Sequence, residues 1–211
     1  MTLRSKIRGS ARVAFLFAAF GLAAILILVV FFLLMPRYRV SSASMEKTLH
    51  MGEFVLVERF TTILGGELHR GEVVVYRWPP NPREMYLHRI VAVPGDRLHL
   101  RDKRLFLNGV ETDEPYAQHV SSYADEYRDN FPQPVPDQFP TLTRQRVLDM
   151  LQHVSDGELV IPKDCYFVMG DNRDDALDSR YSGFIHRADV IGIAELGYGS
   201  RGVKPVGKSG K

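Results

Sequence analysis

A serine near the N-terminal end of the chain lies in a run of residues that could support nucleophilic chemistry. The run, SSASMEKTLHMGEFVLVERF at 41–60, contains Ser44. A serine hydroxyl attacks a carbonyl group only when a neighbouring group accepts its proton near neutral pH. Histidine suits that task because its unperturbed pKa, about 6.5, leaves the ring mostly neutral at pH 7. By itself, the run also fits a polar linker between two parts of the chain.

Two later segments carry the polar residues that such a site would need. LHRIVAVPGDRLHL at 87–100 contains His88, and MGDNRDDALDSRYSGFI at 169–185 is dense in Gly, Asp, Asn and Arg. The composition of the second segment predicts a buried polar turn that is held by ion pairs. A purely structural knot of Asp and Arg is the competing interpretation for most of its members.

An apolar stretch near the N-terminus predicts a membrane span. Residues 13–35 carry no charge, and a helix needs roughly 20 apolar residues to cross a bilayer. A signal peptide cleaved near 41–44, and a buried helix of a soluble protein, are the alternatives. By the positive-inside rule, the basic residues before the stretch favour a cytoplasmic N-terminus and an extracytoplasmic remainder. These residues are Arg4, Lys6, Arg8 and Arg12.

The composition excludes several classes of protein. The 211-residue chain has a formal net charge of +2, so it shows no strong field that would attract nucleic acid. Its single cysteine, Cys165, excludes an intramolecular disulfide, and its strand-like neighbours predict a small buried thiol. Neither an HExxH-type metal pattern nor a Gly-rich phosphate loop occurs in the sequence, so we expect no metal, cofactor or nucleotide.

Short β-branched and aromatic runs, separated by turn residues, follow the apolar stretch. They predict a mainly β body of antiparallel sheets, because the helical stretches that parallel βαβ units require are missing between them. Asn108-Gly109 is a strong hairpin signal. The runs with strand-like patterns are 53–60, 71–78, 87–100, 102–110, 159–171 and 189–199.

One polar, Pro-containing segment interrupts this rhythm. Residues 111–157 predict an insertion or small subdomain with a helical pattern at 142–154. The C-terminal residues, rich in Gly, Lys and Ser, predict a disordered tail. The expected organisation is a cytoplasmic N-terminus, a transmembrane helix, a folded domain that includes the insertion, and a flexible tail, at 1–12, 13–35, 36–198 and 199–211.

Four motifs behind the apolar span resemble those of the type I signal peptidases. SMEKTL resembles the nucleophile box, in which Ser-Met is followed by x-Pro-Thr-Leu, and RGEVVVY resembles the strand box after it. HRIVAVPGD resembles the box that carries the general base, and GDNRDDALDSRYSG resembles the last box almost letter for letter. The resemblance covers the span and nearly all of 36–195. It implies an antiparallel β-sheet signal-peptidase fold and serine-peptidase activity.

The resemblance implies a role for each matching residue. Ser44 takes the nucleophile position, and Ser42 takes the position whose hydroxyl helps the Ser44 backbone N–H bind the oxyanion. Met45 would line the binding cleft. The residues expected to hold the base-bearing strand and the nucleophile loop together are Asp171, Asp178 and Arg180.

Several positions depart from the bacterial pattern. Lys47 stands in place of a proline, which predicts a less rigid loop because proline fixes φ. His88 stands in place of the general-base lysine, and Ala176 in place of the serine that orients that lysine. Asp175 replaces the usual asparagine, and Ser182 replaces a frequent tryptophan.

Histidine is a competent replacement for lysine as the base. The archaeal and endoplasmic-reticulum branches of the same family look similar here, since they use serine with histidine, helped by an aspartate. We expect an aspartate to accept a hydrogen bond from Nδ1–H of His88, leaving Nε2 to face Ser44. Asp178 is the first choice, with a salt bridge to Arg180 as its alternative role, and Asp175 is the second. Activity would then fall with acidification around pH 6–7.

The expected function is removal of N-terminal signal peptides from translocated secretory preproteins that have small residues at positions −1 and −3. The expected place is the inner (plasma) membrane, in contact with the bilayer, with the catalytic domain on the extracytoplasmic side. The changed base position motivates an alternative, an inactive homologue that binds signal peptides or acts as a scaffold. A self-cleaving protease of related fold, as in SOS-response repressors, is disfavoured by the span and the full GDNRD box. The lysines that could restore a Ser–Lys dyad are Lys47, Lys103 and Lys163.

Overall fold

The computed structural model describes residues 3–207, with side chains from residue 15 onward. It contains two compact units, Met1–Pro36 and Arg37–Lys211. The first unit is a single helix, α1 (Leu3–Leu34). Its segment Phe15–Leu34 is long and apolar enough to cross a membrane and is not buried within the protein, although a signal sequence has the same features. The predicted basic cluster at 4–12 lies where side chains are not described.

The second unit is built from two antiparallel sheets, which confirms the predicted mainly β class. The larger sheet has the order β1-β2-β12-β3-β4-β10-β11, with β13 paired to β12. Its strands are β1 (Arg37–Arg39), β2 (Phe54–Glu58), β3 (Val73–Arg77), β4 (Met85–Ala92), β10 (Cys165–Met169), β11 (Ile185–His186), β12 (Val190–Gly199) and β13 (Gly202–Pro205).

The smaller sheet has the order β7-β6-β5-β9-β8. Its strands are β5 (Arg97–Arg101), β6 (Arg104–Leu107), β7 (Val110–Glu111), β8 (Val154–Ser155) and β9 (Glu158–Val160). The short helices of this unit are α2 (Phe60–Ile63), α3 (Glu126–Asp129), α4 (Thr141–Leu151) and α5 (Ser179–Ser182), with a 3₁₀ turn at Arg187–Asp189.

Three tight turns close the hairpins of the smaller sheet, and one of them, at Asp156 and Gly157 between β8 and β9, has φ values of 54° and 79°. Asn108 and Gly109 connect β6 to β7 with φ values of 53° and 80°. Asp102 and Lys103 connect β5 to β6 with φ values of 47° and 71°. Positive φ at both central residues matches the right-handed twist of the flanking strands. The predicted hairpin at Asn108-Gly109 is therefore confirmed.

The 111–157 segment packs into the core and has no core of its own. Helix α4 buries Val147 and Met150, and both belong to the same apolar cluster as Phe167 of β10 and Leu98 of β5. Strand β8, near the end of the segment, completes the smaller sheet. Three apolar clusters hold the unit together, and this segment contributes to the largest of them.

The C-terminal residues differ from the predicted disordered tail. Strand β13 pairs with β12 through a turn that contains Gly202 at φ 95°, and Val206 is buried in the same cluster as Leu49. Composition alone predicted disorder, but an exposed edge of β12 was available for a further strand to pair with. Residues 208–211 of the predicted tail lie outside the described residues.

Candidate active site

The serine of the SMEKTL motif lies in the loop between β1 and β2. Ser44 is buried, with 9% of its surface exposed. Its backbone carbonyl accepts a hydrogen bond from the Asn172 N–H at 3.0 Å, and the Asn172 Nδ2 donates to the Ala43 carbonyl at 3.2 Å. The main chain of the nucleophile loop is thereby fixed to the GDNRD segment.

Gly170 permits a close approach at the centre of the site. A Cβ atom on this residue would lie 2.5 Å from the Ser44 carbonyl oxygen and 2.4 Å from the Ala176 Cβ. His88 Cδ2 would be 3.5 Å away from it. Distances below 3 Å exclude any side chain at position 170 unless the backbone moves. The glycine, which directly follows β10, therefore leaves room for the nucleophile loop and the His88 ring to lie close together.

The hydroxyl of Ser44 has a second serine as its neighbour. The Oγ atoms of Ser42 and Ser44 lie 3.0 Å apart, within hydrogen-bond distance. Among the described residues, Ser44 makes no hydrogen bond to His88. In unliganded enzymes such bonds are often long and tighten only when substrate binds.

The ring of His88 is held by a tyrosine. His88 is 1% exposed, and its Nδ1 lies 2.8 Å from the Oη of Tyr76 on β3. The ring of Tyr86 also packs against it, with centroids 6.0 Å apart. The structure thus places a phenol, and not an aspartate, at Nδ1 of His88.

Asp178 is committed to other partners, contrary to the expectation that it would accept from His88. Its carboxylate accepts two bonds from the Arg180 guanidinium, at 2.9 and 2.7 Å. It also accepts from the backbone N–H groups of Gly170 and Arg180. The salt bridge to Arg180, its alternative role, is the one observed. Asp175, the second choice, is exposed at the wall of the cleft.

Burial lowers the pKa of His88 to about 4. The loss of hydration disfavours the charged imidazolium, and the neighbouring positive charge of Arg180 acts in the same direction. The carboxylates of Asp178 and Asp171 oppose the shift. This pKa is well below the 6–7 that the sequence led us to expect, because the sequence did not reveal that the ring is fully buried.

Asp171 connects the base-bearing strand to the nucleophile loop, as predicted. It accepts two bonds from the guanidinium of Arg89, at 2.8 and 2.6 Å, and one from the Thr48 hydroxyl. Arg89 follows His88 on β4, and Thr48 belongs to the SMEKTL motif. The pairing is fully buried, so removal of either partner would leave an unpaired buried charge.

A further ion pair supports the same segment and was missed from the sequence. Arg173 contacts the Glu114 carboxylate through two bonds of 2.6 Å each. Residues Gln118 and Asn172 form a parallel bridge beside it. Glu114 and Gln118 lie in the irregular 111–157 region, where the sequence shows no pattern that would identify them as partners of the GDNRD segment. This region therefore supports the GDNRD segment directly.

Lys47 has a backbone conformation that a proline at this position could not adopt. Its φ is 77°, in the left-handed region that proline cannot adopt because its ring fixes φ near −65°. The Lys47 Nζ donates to the Pro115 carbonyl at 3.0 Å. The side chain therefore ties the loop to Pro115, and Lys47 is not part of the cleft lining that contains Ser44.

The other two candidate lysines also have positions outside the site. The Lys103 Nζ donates to the Ser121 carbonyl at 2.8 Å, and Lys163 is exposed in the turn before β10. No lysine among residues 15–207 lines the cleft that contains Ser44. Cys165 is buried, and burial raises the pKa of its thiol, so the predicted inert role fits.

The reactive side chains share one cleft of about 930 Å³. Ser42, Ser44, Met45 and His88 all line it, so the structure brings together these four residues of the predicted site. The last box contributes Asp175 and Ala176 to the lining. Asp171, Asp178 and Arg180 lie behind the cleft and are not part of its lining.

Comparison with known proteins identifies the family of the chain. The sequence pattern of the family described as "Signal peptidase, peptidase S26" matches residues 12–198. The chain is 32% identical over 171 residues to signal peptidase I of Pseudomonas fluorescens, covering 74% of this chain and 58% of that relative. It is 30% identical over 176 residues to signal peptidase I P of Bacillus subtilis subsp. natto, covering 83% of each.

A solved structure gives a weaker alignment. The crystal structure of a signal peptidase I from Enterococcus faecalis is 26% identical, with a TM-score of 0.44 over 60% of this chain and 96% of that one. The family pattern covers most of the chain, and the Bacillus relative matches along most of its own length. The chain belongs to the signal peptidase family, peptidase S26.

Proposed function

We propose that the protein is a membrane-bound serine endopeptidase that removes N-terminal signal peptides from translocated secretory preproteins. The observation that carries the proposal is the cleft that both Ser44 and His88 line. Membership of the signal peptidase family supports the substrate class. The apolar helix segment Phe15–Leu34 supports attachment to a membrane.

The reaction begins with attack of the Ser44 Oγ on the scissile carbonyl carbon. His88 takes the Oγ proton on Nε2, and the carbonyl oxygen becomes an oxyanion that the Ser44 N–H and Ser42 hydroxyl can stabilise. His88 then gives that proton to the leaving amine, so the peptide bond breaks and an acyl ester remains on Ser44. Water, deprotonated by the same ring, releases the acyl group and restores the serine.

The electrostatics of the site keep the His88 ring in the neutral form that a general base needs. With a pKa of about 4, the His88 ring is neutral at physiological pH and can accept a proton. The imidazolium that forms during the reaction is stabilised by the carboxylates of Asp178 and Asp171, which both favour its charged form. Asp178 thus acts at short range without a hydrogen bond to the ring.

Membership of the signal peptidase family supports a substrate that is a secretory preprotein. A preprotein would extend across the cleft with small residues at positions −1 and −3, while its own apolar segment stays in the bilayer beside this protein's helix. We expect the purified full-length chain, in detergent, to cut a preprotein with Ala at both positions at a single bond. The measurement is mass spectrometry of the products.

The same experiment includes its control. A matched preprotein with Phe at position −1 is expected to remain uncut, because a large side chain exceeds the space for a small residue. Failure to cut the Ala substrate over a wide pH range would contradict the proposed function and favour a signal-peptide-binding homologue. Equal cutting of both substrates would contradict the small-residue preference.

The second unit, from Arg37 onward, is proposed to lie outside the cytoplasm. The basic residues at 4–12 motivate this orientation. A protease added outside intact spheroplasts is expected to digest the second unit, with a cytoplasmic marker protein left intact as control. Complete protection of the second unit, with digestion restored only by lysis, would reverse the assigned orientation.

A further inference from the structure

Tyr76 is buried beside the proposed base and contacts it through a polar atom. The side chain is fully buried, and its Oη lies 2.8 Å from His88 Nδ1. In the β3–β4 ladder, His88 is paired with Val74 and Tyr86 with Tyr76. Tyr76 is therefore the diagonal neighbour of His88 on the same face of the sheet, a position that an aromatic side chain can reach.

We infer that Tyr76 is the positioning residue for His88, accepting the Nδ1–H bond so that Nε2 presents its lone pair to Ser44. This inference rests on the proposed serine-peptidase function. A neutral imidazole has two tautomers, and only the one with hydrogen on Nδ1 can act as a base through Nε2. As the acceptor, Tyr76 would hold that tautomer, the task that a carboxylate performs in a Ser-His-Asp triad. A phenol that donated to Nδ1 would instead place the hydrogen on Nε2, so the direction of this bond decides which nitrogen can act as the base.

The groups around the ring leave this task to Tyr76. Asp178 uses both carboxylate oxygens for Arg180 and backbone N–H groups. Asp171 is engaged by Arg89 and Thr48. Tyr86 contacts His88 through its ring. These groups, with Arg180, are the charged and titratable neighbours that face His88 from β3, β4 and the last box.

Tyr76 would remain a neutral partner throughout the reaction. Burial and the negative charge of Asp178 raise its pKa well above 10, so its own proton stays in place. When Ser44 gives its proton to Nε2, the imidazolium keeps Nδ1–H bonded to the phenol oxygen, and no proton passes to Tyr76. A neutral acceptor stabilises the imidazolium less than a carboxylate would, in keeping with the low pKa of this histidine.

The first test measures the tautomer directly and needs no turnover. The full-length Ser44→Ala protein is labelled with ¹⁵N-histidine in micelles, and the His88 nitrogens are assigned by comparison with a His88→Gln sample. We expect a protonated Nδ1 and an unprotonated Nε2 at neutral pH. In the Tyr76→Phe background the Nε2–H form is expected to gain population. A dominant Nε2–H form with Tyr76 present, or an unchanged tautomer in Tyr76→Phe, would overturn the inference.

The second test separates positioning from general stability. Tyr76→Phe is expected to lower kcat by about 10-fold to 10²-fold, with KM unchanged. The loss should be smaller than the roughly 10²–10⁴-fold that general acid–base catalysis contributes in all, because His88 itself remains. The matched control is Tyr166→Phe, which removes a hydroxyl from a buried tyrosine of the same apolar cluster without contact to His88. Tyr166→Phe should leave kcat unchanged, and thermal unfolding should show both variants folded.

The outcomes separate two kinds of failure. A rise in KM alone, or an equal loss in both variants, would assign Tyr76 to packing and contradict positioning. If the unmodified protein cuts no preprotein, the proposed function fails, while the NMR experiment still decides which nitrogen of His88 carries the proton.

Discussion

Replacing Ser44 with alanine is expected to abolish preprotein cleavage while the protein stays folded. Removal of a serine nucleophile from a comparable catalytic set lowers kcat by roughly 10⁵–10⁶-fold. The fold should survive because Ser44 is fixed through its carbonyl oxygen, which accepts from Asn172, and alanine keeps that bond. The hydroxyl contacts Ser42, and no other element depends on it among the described residues.

The measurement is kcat with a preprotein substrate, together with thermal unfolding. Ser155→Ala is the matched control, because Ser155 is an exposed residue of β8 in the smaller sheet. It should retain full activity. Activity of Ser44→Ala within tenfold of the unmodified protein, in a preparation free of other peptidases, would show that Ser44 is not the nucleophile.

Replacing His88 with alanine is expected to reduce kcat by roughly 10⁴–10⁶-fold, close to the loss for the nucleophile, because a serine and its base act as a unit. The second variant, His88→Gln, fills more of the buried space and cannot act as a base. This variant controls for a loss of activity that is caused only by a cavity beside Tyr76 and Tyr86. His69→Ala, at an exposed histidine on the loop before β3, is the control. If His88→Gln keeps substantial activity, another group must accept the serine proton.

The pH profile of the unmodified protein tests the same assignment from a different side. The neutral ring is the active form, and burial lowers its pKa to about 4. We therefore expect kcat/KM to stay level across neutral pH and to fall only as the pH drops toward that value. A rate that rises only at strongly alkaline pH would indicate a lysine base.

Folding stability changes in the same acidic range and has to be measured alongside activity. The unfolded chain protonates His88 near pH 6.5, whereas the folded protein holds the ring neutral down to about pH 4. Below the unfolded pKa the unfolded state binds more protons, so the free energy of unfolding decreases as the pH falls through this window. His88→Gln should lack this contribution, which separates it from those of the buried carboxylates.

The sequence was sufficient for the fold class because the relevant signals are local. Alternating strand residues and the Asn108-Gly109 turn are read from neighbouring positions, and the structure confirms both. The C-terminal hairpin was missed because β13 forms by pairing with β12. Its residues have little strand character of their own. A free edge of a sheet supplies the pairing, and it cannot be recognised before the sheet is known.

The sequence motifs predicted the site residues that lie within them. Ser42, Ser44 and His88 occur in motifs and share the cleft, but the partner of His88 does not follow from motif spacing. That partner depends on the register of β3 against β4, which pairs Val74 with His88. The connection at 78–84 contains three prolines and fits no standard two-residue hairpin, so its length could not fix the register from sequence.

The hydrogen bond from Asn172 to the Ser44 carbonyl also bears on how this enzyme could be redesigned. A hydrogen bond between main-chain atoms does not depend on the neighbouring side chains. Exposed cleft residues around Ser44 can therefore be exchanged while the nucleophile keeps its position. Ser41 lines the cleft and is exposed, so it is a suitable position for libraries that alter which cleavage sites are accepted, whereas Met45 is buried in an apolar cluster and should be kept.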